Sequence, residues 1–218
     1  LTIITPFTGY ILFLSSFHPP YVRFRTRPVH RYSGNGQERV PLPAVTENQF
    51  ILSDHERVYL FLFQRPITNQ VPNGVVCVSQ LYAYITTSEW LRERTDQVRA
   101  ASSDEKRFRR LKQSLLPYVT PAGIFSYRKE DHLLVPFGRG SSSTSITSTS
   151  PEEAICWRDT LFADERPSPD LSFVSPSTTG IKLLVPYRLS IKENREESFD
   201  EAVRFAWEYL EWKYGLKS

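Results

Sequence analysis

The chain has 218 residues, of which 40% are hydrophobic, 23% charged and 13% aromatic, with a formal net charge of +3. That length can bury a real core, and the aromatic content excludes global disorder. So mild a charge permits contact with a polyanion but does not demonstrate one, and no membrane or strongly acidic partner is implied.

Cys77 and Cys156 stand far apart in no metal-ligand spacing. They read as small buried residues of a reducing compartment, and the expected location is cytoplasmic. His18, His30, His55 and His132 form no HExxH motif and no Cys/His cluster, so no zinc site is expected. Met is absent and the chain begins at Leu1, which reads as a fragment or a missed start.

Residues 1–17 are apolar but interrupted by Pro6 and Gly9. They are too short for the roughly 18 to 20 residues of a bilayer span, and no basic residues precede them as a secretory signal requires. Residues 19–43 are rich in Arg, Pro and Gly without periodicity. Arg23, Arg25, Arg27 and Arg31 there suit either a solvated arm or nucleic-acid contact. Residues 1–47 therefore read as an arm of doubtful order, native or not, and residues 48–218 as one truncated domain.

Residues 57–64 are β-branched and aromatic, a strand pattern, and Pro72-Asn73-Gly74 is turn chemistry. Helical periodicity over 79–110 (Leu81, Tyr84, Ile85, then Leu91, Val98, Phe108) predicts two helices broken at Ser102-Ser103-Asp104. A strand and turn follow over 115–123, and 123–128 alternates as a further strand. Residues 132–137 are an apolar run.

The next segment, 141–150, is SSSTSITSTS. By composition it is a linker. Its apolar and helical flanks favour a sharper alternative, a buried strand whose sequence has been overwritten. A helix is expected over 151–162 with Pro151 in its first turn, then strands at 172–175 and 181–187 around a Ser-Pro-Ser-Thr-Thr-Gly turn. Residues 198–214 form an amphipathic helix with Phe199, Val203, Ala206, Leu210 and Tyr214 near one face, Trp207 beside them, and Gly215 as its stop. The pattern predicts an α+β fold with helices on one face of the sheet.

Three places carry candidate chemistry. In the small-residue turn, Ser175, Ser177 and Gly180 can present backbone N–H groups to an anion, and Lys182 adds charge. An ordinary hairpin turn explains the same residues. Arg128 and Lys112 suit phosphate contact or, equally, a surface ion pair to Glu130 or Glu152. The Arg-rich stretch 107–112 is a solvated helix face or a DNA-backbone contact. Trp207, Tyr209, Trp212 and Tyr214 could stack bases, but at helical spacing they are expected in the core.

Three segments in order, Arg65-Pro-Ile-Thr-Asn, then residues 112–128 (KQSLLPYVTPAGIFSYR), then 173–185 (FVSPSTTGIKLLV), resemble the VirE N-terminal, BT4734-like domain family of bacterial mobile-element proteins. That family is similar to the catalytic domain of archaeo-eukaryotic-type primases. The resemblance covers roughly residues 58–216. It implies a primase-like sheet with helices packed on it, and DNA, nucleoside triphosphates and a helicase as partners.

The resemblance also implies an Asp-x-Asp pair that binds Mg or Mn for nucleotidyl transfer, on a strand lying where residues 141–150 stand. No carboxylate is present there, so no catalytic or metal-binding residue is assigned, no metal cofactor is supported by this chain, and whether it is an enzyme stays open. Read one frame over, with suitable codons, the run spells Val-Val-Asp-Ile-Asp-His-Leu-Asp, with Thr144 and Ile146 where the acids would be. The resemblance gives Ser175, Ser177, Gly180, Lys182, Arg128 and Lys112 a nucleotide-binding role, with Thr178 standing where the family usually has Gly. A non-catalytic nucleotide or single-stranded DNA binding module, or a non-functional fragment, are the alternatives.

Overall fold

Two antiparallel sheets organise the chain. The structure, a computed structural model, describes residues 12–14, 21–25, 59–120, 124–125, 133–135, 139–166, 168–188 and 195–216. In order these form β1 (Leu12–Phe13), β2 (Val22–Phe24), β3 (Tyr59–Phe63), β4 (Gly74–Cys77), α1 (Val78–Thr87), α2 (Glu89–Arg99) and α3 (Glu105–Leu115). There follow β5 (Tyr118–Thr120), β6 (Ile124–Phe125), β7 (Leu133–Val135), β8 (Arg139–Thr147), α4 (Pro151–Ala163), β9 (Leu171–Val174), β10 (Gly180–Arg188) and α5 (Arg195–Tyr214). One sheet runs β1-β5-β3-β4, the other β2-β9-β10-β8, and β6 pairs with β7. The fold is α+β.

The expected helix over 79–110 is three helices, not two. Ser88 adopts extended backbone angles, ends α1, and its Oγ accepts from Leu91 N–H to start α2. A serine oxygen at that position competes with continuation of the helix by satisfying the first free N–H of a new one. Asp104 caps α3 through Arg107 N–H, as the sequence suggests. Pro151 opens α4, with Ser150 Oγ accepting from Glu153 N–H.

The helices do not share one face of a sheet. Consecutive side chains on a strand point to opposite faces. On β2, Arg23 bonds Asp159 of α4 at 2.8 Å, while Phe24 stacks on Tyr82 of α1 with ring centroids 5.1 Å apart. The second sheet therefore lies between α4 and α1. Period-2 alternation marks which side chains are buried but not which helix covers each face.

Residues 139–147 are a strand rather than a linker. Every residue of β8 is in register with β10, from Thr147 opposite Gly180 to Arg139 opposite Arg188. Backbone pairing is blind to side-chain identity, so serines and threonines complete the sheet where apolar neighbours on β10 supply the burial. Ile146 is 3% exposed within the main core. Thr147 next to it is exposed.

The described parts of the 1–47 arm belong to this architecture. β1 pairs with β5 and β2 with β9, and Leu14 and Val22 are buried. Arg23 is engaged by Asp159, and Arg25 donates to Phe162 O at 2.6 Å, so both face α4 rather than a polyanion. Arg27 and Arg31 lie outside the described residues.

Two expectations are corrected by exposure. Cys77 is buried, but Cys156 is exposed on α4. On α5, Ala206 and Leu210 are buried and Trp207 and Tyr214 partly so, whereas Trp212 is 80% exposed. Two residues past Leu210 correspond to about 200° of rotation, which carries Trp212 to the far side of the helix. The side chains of Phe199 and Val203 lie outside what is described.

Candidate phosphate-binding site

The hairpin between β9 and β10 is closed by its own small residues. Ser175 N–H donates to Gly180 O at 2.5 Å and Thr178 N–H to Ser175 O at 3.0 Å. The hydroxyls of Ser175 and Ser177 lie 2.7 Å apart. A Cβ on Gly180 would stand 2.5 Å from Ser175 Oγ, so only glycine lets these groups close together. Ser148, just past β8, donates from N–H (2.8 Å) and Oγ (2.7 Å) to Thr179 O, fastening the turn beside the start of α4.

Thr178 sits in the left-handed region with φ of 67°. A β-branched residue there is strained, and glycine is not. Thr178→Gly is expected to raise stability by about 1 kcal/mol, the scale of the left-handed penalty. For a chain of this size that is about 2–4 °C in Tm, measurable by circular dichroism. An unchanged or lower Tm would show that the turn does not bear this strain.

Lys182 lies two residues into β10, in register with Phe173 on β9 and Ser145 on β8. It is half-buried. Burial and then repulsion from Lys112 bring its pKa down to about 8. Lys112, on α3, is also half-buried, with its ammonium 5.0 Å from the Phe13 ring centroid. Burial and the nearby Arg109 push it below the ordinary lysine value. Helix and strand thus place two half-buried cations from distant parts of the sequence within electrostatic reach of each other. Among the described residues neither has an ion pair with a carboxylate. Arg128 lies outside the described residues, as do Glu130 and the rest of that segment.

A divalent metal does not suit this place. The described strands around it, β8 (RGSSSTSIT), β9 (LSFV) and β10 (GIKLLVPYR), carry no carboxylate. Neutral hydroxyls are weak ligands for Mg or Mn, and the Lys182 ammonium would repel the ion. The chemistry of the donor set is that of an anion site.

The sequence reading missed a second polar centre. Asp164, at the end of α4, is buried and accepts from Tyr214 Oη (2.7 Å), Tyr209 Oη (3.0 and 3.1 Å), Lys213 Nζ (3.0 Å) and Arg166 N–H (3.0 Å). Burial alone would raise its pKa, but these donors more than offset that and hold it below the usual carboxylate value. The available signal was the spacing of Tyr209, Lys213 and Tyr214, which puts three polar tips on one helix face.

Residues 110–217 match the family model of the BT4734-like, N-terminal domain. Over this span the chain belongs to that family. The match starts within α3, includes Lys112, β8, the hairpin turn and Lys182, and runs past α5. The segment Arg65-Pro-Ile-Thr-Asn lies outside it. No curated protein and no solved structure matches the chain. Among the described residues no helix is long and apolar enough to cross a membrane.

Proposed function

We propose that this BT4734-like domain binds the phosphates of a nucleotide between β10 and α3, as a non-catalytic module of a primase-like replication protein of a mobile element. The observation that carries the reading is that Lys112 and Lys182 are both half-buried with no carboxylate partner among the described residues. Two half-buried ammonium groups that repel each other without a carboxylate cost stability in the free chain, and a phosphate group relieves both charges at once. The hairpin turn beside Lys182 does not offer the expected N–H of Ser175, because it and the Thr178 N–H are spent inside the turn, so the lysines alone carry the reading. Nucleotidyl transfer is not part of it, because β8 offers no acidic pair to a metal. Mg or Mn, DNA and a helicase belong to the parent family by resemblance, and cytoplasmic placement follows from that role.

Titration calorimetry with ATP tests it. At pH 7, Lys182→Ala and Lys112→Ala should each weaken binding about tenfold or more, the scale of one charge-assisted contact. The pH dependence is specific. Because the pKa of Lys182 is lowered, the ammonium is lost from the free site as pH rises through about 8, and affinity should fall over that range. In the same window, up to the ordinary lysine value, the folded chain binds fewer protons than the unfolded one, so stability without ligand should rise. ATP affinity indifferent to Lys182→Ala would overturn the assignment. Metal-dependent primer extension by the purified chain would overturn its non-catalytic character. The coding DNA for residues 141–149 checks the frame-shifted origin of β8: codons that do not spell the acidic sequence one frame over exclude it.

A further inference from the structure

We infer that the outer face of α3 is a docking surface for the phosphate backbone of a nucleic-acid strand. This deepens the nucleic-acid part of the reading above and rests on it.

α3 carries Lys106, Arg107, Arg109, Arg110 and Lys112 against the single carboxylate of Glu105. At 100° per residue, Phe108, Leu111, Leu115 and Lys112 fall on the inner side, and the first three pack against the core. Lys106, Arg107, Arg109 and Arg110 are all exposed, joined on that outer face only by the neutral Gln113 and Ser114. Arg109 is paired with Glu105, whereas Lys106, Arg107 and Arg110 have no ion pair among the described residues.

This differs from an ordinary solvated helix. Lys106 lies four residues and Arg107 three residues before Arg110, spacings at which like charges repel. Lys106 and Arg107 also sit in the first turn, where the helix dipole disfavours cations. The neighbouring α2 shows the usual arrangement instead. Its charges are balanced, and Arg92 and Arg99 pair with Glu89 and Asp96. α3 keeps its charges unbalanced along about 16 Å of axis, at a cost to itself that a polyanion laid along it removes.

The polyanion is a nucleic acid rather than an anionic membrane. A helix that lies in a lipid surface needs an exposed apolar side, and here Phe108, Leu111 and Leu115 are committed to the core. The same helix carries the half-buried Lys112 on its inner side, so a strand on its outer face runs along an element of the proposed nucleotide site.

The test is fluorescence anisotropy of a labelled oligothymidylate of about 20 nucleotides, titrated at several salt concentrations. A Lys106→Gln, Arg107→Gln, Arg110→Gln variant should bind at least tenfold more weakly, and the salt slope should drop by about 0.7 for each contact removed. Arg92→Gln with Arg204→Gln, which removes exposed charge elsewhere, should leave binding unchanged. Lys182→Ala should weaken ATP binding about tenfold or more while leaving oligonucleotide binding unchanged, and the α3 variant should do the reverse, so failure of either site is recognised separately. Oligonucleotide affinity unaffected by the α3 substitutions, or affected equally by the control pair, overturns the proposal. So does α3-dependent binding to phosphatidylserine vesicles without oligonucleotide binding.

Discussion

Asp164→Ala should destabilise the domain by about 3 kcal/mol, the cost of stripping a buried carboxylate from its charged and hydroxyl donors. Asp164 joins the end of α4 to the last turns of α5 through Tyr209, Lys213 and Tyr214. Trp157 of α4 also meets Tyr214 edge-on, at 5.9 Å between centroids, so the loss loosens a packed joint as well as a polar one. The expected fall in Tm is about 6–12 °C. Asp164→Asn, which keeps one acceptor oxygen, should lose less.

The pH dependence carries a sign. The folded-state pKa of Asp164 is lowered, so its contribution is present above the ordinary carboxylate value near 4 and is lost as pH falls through the lower folded value. Thermal unfolding between about pH 5 and 2 should therefore be flatter for the alanine variant than for the parent. Parallel curves would show that Asp164 does not hold α5.

Ile146→Asp should be more damaging, costing about 4 kcal/mol or more. Part is lost apolar burial and part is the desolvation of a carboxyl among Ile181, Leu183 and their neighbours. Against the usual 5–15 kcal/mol of a whole domain, that leaves little folded protein. Thr147→Asp, one residue on and exposed, should cost less than about 0.5 kcal/mol. Urea unfolding of the two variants checks the register of β8. Equal stability would mean that Ile146 is not a core residue. The contrast also bears on the ancestry of the strand, because position 146 could hold a metal-binding acid only in a differently packed domain.

Much of the fold could be read where one residue type has one physical use. Asp104, Pro151 and Gly215 mark helix ends, and the aromatic run of β3 marks a strand. The division into two sheets could not be read, because alternation says that a face is buried without naming its partner. β8 was ambiguous for a related reason. Its serines give no apolar signal, and its place is fixed by β10, whose pattern lies beyond the intervening α4 and β9. Of the candidate site, Lys182 stands out from the turn before it. The pairing with Lys112 is a product of tertiary folding, and so is the burial that lowers both lysines. Asp164 follows a helix in polar sequence and looks like any loop residue until α5 is laid against it.

The two short strands contributed by the N-terminal arm have a practical meaning for any attempt to trim the chain. β1 and β2 are the outermost strands of their respective sheets, capping β5 and β9. Starting the protein at residue 48 would leave two buried strands with bare rows of N–H and C=O groups, the geometry that recruits a neighbouring molecule's strand. A shortened form therefore invites self-association and aggregation, even though the proposed ligand-binding lysines, Lys112 and Lys182, would all be retained.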